Sequence, residues 1–210
     1  MVKSGRQIDR FFRGNPDLAR DYVDDEFWEM RAIASRYVPQ NMLPGLINDP
    51  DEVVRRAVAY RIPVDQLPLL INDSDREVRI TVADRLPPTQ LEAMVDDEDY
   101  LVRDYVARRL SPGRLFRMIR DPERQVRKTV AMRIPQVSLG LMAFDESAEV
   151  RKVVAERADP DTAASMLDDE DWLVRLTAVL QVPPQELERM LQDPEPDVAE
   201  AAAARLRSAS

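Results

Sequence analysis

Asp49-Pro50-Asp51-Glu52-Val53-Val54-Arg55-Arg56-Ala57-Val58-Ala59-Tyr60-Arg61-Ile62-Pro63, followed by Val64-Asp65-Gln66-Leu67-Pro68-Leu69-Leu70-Ile71-Asn72, is a 24-residue unit that recurs without insertion or deletion from residue 25 onward. Asp opens every copy, at Asp25, Asp49, Asp73, Asp97, Asp121, Asp145, Asp169 and Asp193. Five residues on stands an apolar side chain (Met30, Val54, Val78, Val102, Val126, Val150, Val174, Val198). The next residue is Arg in Arg31, Arg55, Arg79, Arg103, Arg127, Arg151 and Arg175, with Ala199 the exception. A fixed period of this length marks a solenoid, in which each unit buries its apolar face only against its neighbours.

Within the unit, Val54, Val58 and Ile62 recur every four residues and form one buried stripe of an α-helix. Asp49 has the chemistry of an N-cap, Pro50 suits a first turn, and Glu52 completes a capping box. Pro63 ends the helix, as do Pro39, Pro87, Pro135 and Pro183 in their copies. A helix of about 11 residues is marginal alone, so neighbours must hold it. The second half, with Leu67, Leu70 and Ile71, has room for about two turns and predicts a short helix, α or 3₁₀. No stretch alternates with period two, and no strand is expected.

Outward from the repeat, residues 1–24 form an expected N-terminal cap and half-repeat. Ile8, Phe11 and Phe12 have helical spacing to cover the first layer, and residues 15–24 resemble the second half of a copy. Residues 25–210 form the repeat array, closed by a C-terminal capping helix at 193–206, with Ser208-Ala209-Ser210 frayed. A second period of three copies lies over the first. It places Trp28, Tyr100 and Trp172 at one repeat position, each preceded by an acid pair (Asp24-Asp25, Asp96-Asp97, Asp168-Asp169).

The pattern Asp-Pro-Asp-x-x-Val-Arg-x-x-Val-Ala-x-Arg-x-Pro-x-x-x-Leu-x-x-Leu resembles the leucine-rich repeat variant family over residues 25–206. That resemblance implies a right-handed α-solenoid of alternating α- and 3₁₀-helices without β-sheet. Its founding member carries a cysteine-ligated iron–sulfur cluster and is linked to nitrogen-fixing bacteria. This chain has no Cys and departs from the family there, so no cofactor is expected.

Composition narrows the chemistry. The chain has no Cys and no His, which removes disulfides, thiolate ligands and histidine acid–base catalysis. No Gly-rich phosphate loop, nucleophile elbow or metal-ligand cluster occurs, and no enzyme is expected. No signal core or membrane span is legible, so a cytoplasmic location is expected. A net charge of −9 disfavours non-specific binding to nucleic acid or anionic membranes.

The recurring Asp and Arg read as capping and register-setting groups rather than a site, because a site is local and a scaffold is periodic. Trp28, Tyr100 and Trp172 either anchor a partner or pack on the preceding repeat's short helix. Residues 103–133 hold ten basic and three acidic side chains. With the recurring Arg103, Arg109, Arg127 and Arg133 set aside, Arg108, Arg114, Arg117, Arg120, Arg124 and Lys128 remain as a candidate patch. Two functions follow: a scaffold binding a protein partner, placed by family analogy near nitrogen fixation or metallocluster metabolism, or a nucleic-acid binder using that patch.

Overall fold

The computed structural model describes residues 4–209; expectations for Met1-Val2-Lys3 and for Ser210 lie outside them. Among the described residues there are helices and turns but no strand. Two compact units divide the chain at 109/110, within the fourth copy. The first holds α-helices Gly5–Gly14, Trp28–Ala34, Glu52–Ala59, Arg76–Arg85 and Tyr100–Arg109. Between them run 3₁₀-helices Pro16–Tyr22, Gln40–Leu46, Val64–Leu70 and Leu91–Met94. The second holds α-helices Arg124–Arg133, Ala148–Arg157, Trp172–Val179 and Pro196–Ala209. They alternate with 3₁₀-helices Pro112–Met118 and Gln136–Met142, a short α-helix Pro160–Ala164, and Pro184–Leu187 running into the 3₁₀-turn Glu188–Gln192. Each unit is thus a solenoid-like stack of two-helix layers.

The apolar stripe places these layers. Val54, Val58, Ile62 and Leu67 are fully buried, as are Val78, Val82 and Leu91 in the next layer and Val126, Val130, Ile134 and Leu139 in the second unit. The 3₁₀ geometry of the second halves follows from spacing. Leu43/Leu46, Leu67/Leu70, Leu115/Met118 and Leu139/Met142 are the buried pairs. Three residues per turn set i and i+3 one above the other. The sixth copy is α-helical in its second half, and there Asp159 supplies a cap. It accepts from the Thr162 N–H at 2.9 Å and its hydroxyl at 3.0 Å.

The first helix covers its layer with Ile8 and Phe12, both buried. Phe12 meets the rings of Tyr22 and Tyr37, with centroids 5.3 and 6.0 Å apart. The Tyr37 hydroxyl donates to Asp9 at 2.9 Å.

The helix start differs from the expectation. Asp49 is not the N-cap; the helix opens at Glu52, and Asp51 accepts from the Val53 N–H at 3.0 Å. Asp75 and Asp171 cap their helices in the same way. Pro50 therefore precedes the helix rather than sitting in its first turn, and Glu52 is its first residue rather than the far end of a capping box. The cause is a prior claim on Asp49: its Oδ1 accepts from the Asp51 N–H at 2.9 Å, and both carboxylate oxygens are held by Arg31. The final helix, Pro196–Ala209, starts and ends three residues later than the expected 193–206 and takes in Ser208 and Ala209.

Candidate functional site

The recurring charges come first, because they are what a carboxylate or cation site would be made from. In the first unit Arg31 donates to Asp49, Arg55 to Asp73 and Arg79 to Asp97. Each uses Nε and Nη2 on the two carboxylate oxygens at 2.7–3.1 Å. In the second unit Arg127–Asp145, Arg151–Asp169 and Arg175–Asp193 repeat that fork at 2.7–3.1 Å. The remaining nitrogen turns home: Arg55 Nη1 donates to the Asp49 carbonyl at 2.9 Å. A bidentate fork fixes direction as well as distance, so each pair sets the register of one layer on the next.

The electrostatics follow. Burial alone would raise the Asp49 and Asp73 carboxyls. The guanidinium forks, an N–H two residues on and the neighbouring arginine charges outweigh it, and both lie below the usual carboxylate range. Asp193 is also lowered, chiefly by the hydrogen bond from Arg175.

A second row of arginines closes the helix ends. Arg61 donates to the Ser35 and Val38 carbonyls, Arg85 to that of Ala59, and Arg109 to those of Ala83 and Leu86. In the second unit Arg133 reaches Leu110, Arg157 reaches Ala131 and Ile134, and Arg205 reaches Val179 and Val182. The last carbonyls of a helix have no partner within it. Many helices solve this with a glycine at positive φ; among the described residues here none has positive φ. Burial pulls the Arg85 and Arg133 guanidiniums down from their usual value, and an arginine remains charged regardless. Among the described residues every buried side-chain nitrogen and oxygen has a hydrogen-bond partner, and no group of three or more acids is arranged to hold a metal ion.

The side chains outside this framework hold the candidate sites. Trp28, Tyr100 and Trp172 are each the first residue of their α-helix and are 45%, 42% and 37% exposed. Trp28 and Tyr100 are three layers apart in the first unit, so they do not form one site. Trp28 borders a hollow of about 600 Å³ lined by Arg6, Arg10, Arg13, Arg36 and Val53 together with the acids Asp9 and Glu29. Arg6 and Arg10 have no ion pair among the described residues, whereas Arg36 faces Asp9 at 3.9 Å.

The six cations of the candidate patch are divided between the two units. Arg108 lies in the first unit, bound to the buried Asp104 at 2.6 Å and set over the Tyr105 ring at 5.5 Å. Arg114, Arg117, Arg120, Arg124 and Lys128 lie in the second unit, where Arg124 and Lys128 share Glu149 at 3.2 and 3.6 Å. Arg114, Arg117 and Arg120 are exposed on and just after the 3₁₀-helix Pro112–Met118.

Sequence reading missed a group beside them: Val137, Leu141 and Phe144 are 92%, 62% and 81% exposed. The signal lay in comparing copies. Phe144 stands where the others have Asn48, Asn72, Asp96, Arg120, Asp168 and Gln192.

A family model described as leucine rich repeat variant matches residues 76–99. A solved structure described as a leucine-rich repeat variant with a novel repetitive protein structural motif is 59% identical. It aligns with a TM-score of 0.92 over 98% of this chain and 88% of that chain. A designed armadillo repeat protein is 14% identical with a TM-score of 0.31, covering 93% of this chain and 99% of that chain. A search of curated protein sequences finds no match.

Proposed function

The chain belongs to the leucine-rich repeat variant family, and from that we propose that it is a non-catalytic cytoplasmic scaffold that binds a protein partner through its non-recurring surface positions. The recurring charges are engaged in holding layers together. Recognition is left to positions that change from copy to copy.

The observation that carries this is Trp28, half-exposed at the rim of a hollow lined by Arg6, Arg10 and Arg36. An aromatic side chain beside Arg6 and Arg10, which have no ion pair among the described residues, is the composition of an interface anchor, because Trp and Arg are enriched among hot-spot residues. It suits a protein segment that presents a carboxylate next to an apolar side chain. The family resemblance directs the search for that partner first to nitrogen-fixation and metallocluster proteins. Among the described residues no helix is long and apolar enough to cross a membrane.

The test is affinity capture with the wild-type chain and a Trp28→Ala/Arg10→Glu variant, each checked for an unchanged circular dichroism melt. A partner held by the wild type and lost by the variant supports the scaffold. A partner held equally by both overturns the Trp28 site. The nucleic-acid alternative has less support, since Arg108, Arg124 and Lys128 are already in ion pairs. A salt-dependent gel shift abolished by reversing Arg114, Arg117 and Arg120 would reinstate it.

A further inference from the structure

Within the second unit, the column just after the short second helix of each copy reads Arg120, Phe144, Asp168. All three side chains are exposed. Phe144 projects between two hollows. One, of about 380 Å³, is lined by Arg120, Leu141 and Phe144 with the acids Asp121, Asp145 and Glu146; the other, of about 440 Å³, by Phe144, Met166 and Asp168 with Asp145, Glu146 and Glu170. The adjoining column runs Arg117, Leu141, Ser165, again cationic to apolar to polar. Val137, Leu141 and Phe144 are exposed together on this face, and clustered exposed apolar side chains rimmed by polar ones mark interaction sites.

We propose that this face binds a second copy of the chain about a two-fold axis passing beside Phe144. The charge order selects both the occupant and its direction. A general acidic partner would match Arg120 but leave like charges at Asp168. A copy laid parallel would set Arg120 on Arg120. A copy turned by two-fold rotation sets Arg120 against Asp168 twice and brings each Phe144 ring into the hollow beside the other. This is the self-complementary arrangement of an isologous interface. Consecutive layers stand about 10 Å apart by helix-packing distances, so the cation and the carboxylate lie about 20 Å apart on both copies and coincide on rotation. Asp168 already accepts from Arg189 at 3.0 Å, yet its side chain is 82% exposed and retains access for a second cation.

The face is small. Three layers about 10 Å apart, two crossed by 3₁₀-helices about 14 Å long and the third by the shorter α-helix Pro160–Ala164, present on the order of 400 Å² per copy. This is about half a standard interface, so the dimer is weak and reversible. The inference stands apart from the Trp28 site and survives its failure.

Sedimentation equilibrium of the full chain from about 10 µM to about 1 mM, spanning weak dissociation constants, is the test. The mass should climb from 24.1 kDa towards twice that value, less steeply at high salt. Phe144→Asp should hold the chain monomeric across the series. Arg120→Glu or Asp168→Arg alone should weaken association about tenfold, the scale of the two exposed ion pairs that each breaks in the dimer, and the double reversal Arg120→Glu/Asp168→Arg should restore it. Unchanged thermal melts establish that each variant folds. The proposal is overturned by a monomer throughout, by association indifferent to Phe144→Asp, or by a double reversal no better than its singles.

Discussion

Asp73→Ala should destabilise the first unit by about 3 kcal/mol, a large effect for a side chain outside the apolar core. Its carboxylate accepts from Arg55 Nε and Nη2 at 2.8 and 2.9 Å and from the Asp75 N–H at 2.9 Å. The Arg55 and Asp73 side chains are only 12% and 5% exposed. Breaking a buried pair by removing one partner costs about 3–5 kcal/mol, because the other charge is left behind. Arg55 keeps the Asp49 and Pro50 carbonyls and the Ser74 hydroxyl, which places the cost at the low end. The assay is urea unfolding in a Trp172→Phe background, where Trp28 is the remaining tryptophan and reports on the first unit. With a urea slope of about 2 kcal/mol per molar, the midpoint should fall by about 1.5 M. Arg55→Met/Asp73→Leu should recover most of the loss, since apolar replacement of both partners removes the stranded charge. A shift below about 0.5 kcal/mol, the scale of an ordinary surface substitution, would refute a structural role for the fork.

The two acids that open a copy should separate in the same assay. Asp51→Ala loses only an N-cap, about 1 kcal/mol, whereas Asp49→Ala strands Arg31 and should cost at least twice as much; equal losses would contradict the assignment. Acid should act through the same groups. The folded pKa values of Asp49, Asp73 and Asp193 are lowered, so below the unfolded value of about 3.9 the unfolded chain takes up protons first. Their stabilisation is complete above that value and is lost as pH falls through it towards the lower folded values. The urea midpoint should therefore be flat from neutrality to about pH 5 and fall below about pH 4. Asp73→Asn should make that fall shallower, and an unaltered slope would count against Asp73 as one of the responsible groups.

The layers were legible because the repeat exposes them. Val54, Val58 and Ile62 could share only one helical face, and Leu67, Leu70 and Ile71 anticipated a short second helix without deciding between α and 3₁₀. The two-residue error at the helix start has a different origin. Asp49 and Asp51 are the same residue type, and what separates them is Arg31, which lies in another copy and reaches Asp49 across 18 residues. Local pattern carries no trace of that choice. The Arg61 and Arg85 contacts were hidden for a related reason: they end on backbone carbonyls, which every residue possesses and no sequence motif distinguishes. Trp28, Tyr100 and Trp172 were found because they recur, and Phe144 was missed because it does not.

The closure of helix ends by borrowed guanidiniums limits how such a chain can change. Arg85 reaches back 26 residues to Ala59, while Arg55 reaches forward 18 to Asp73, so both bonds span adjacent copies only. Duplicating or excising a whole 24-residue cassette leaves every such bond a counterpart, whereas an insertion of any other length between residues 59 and 73 changes the spacing of both at once. Length in this architecture is therefore quantised, and selection can lengthen or shorten it only in whole steps.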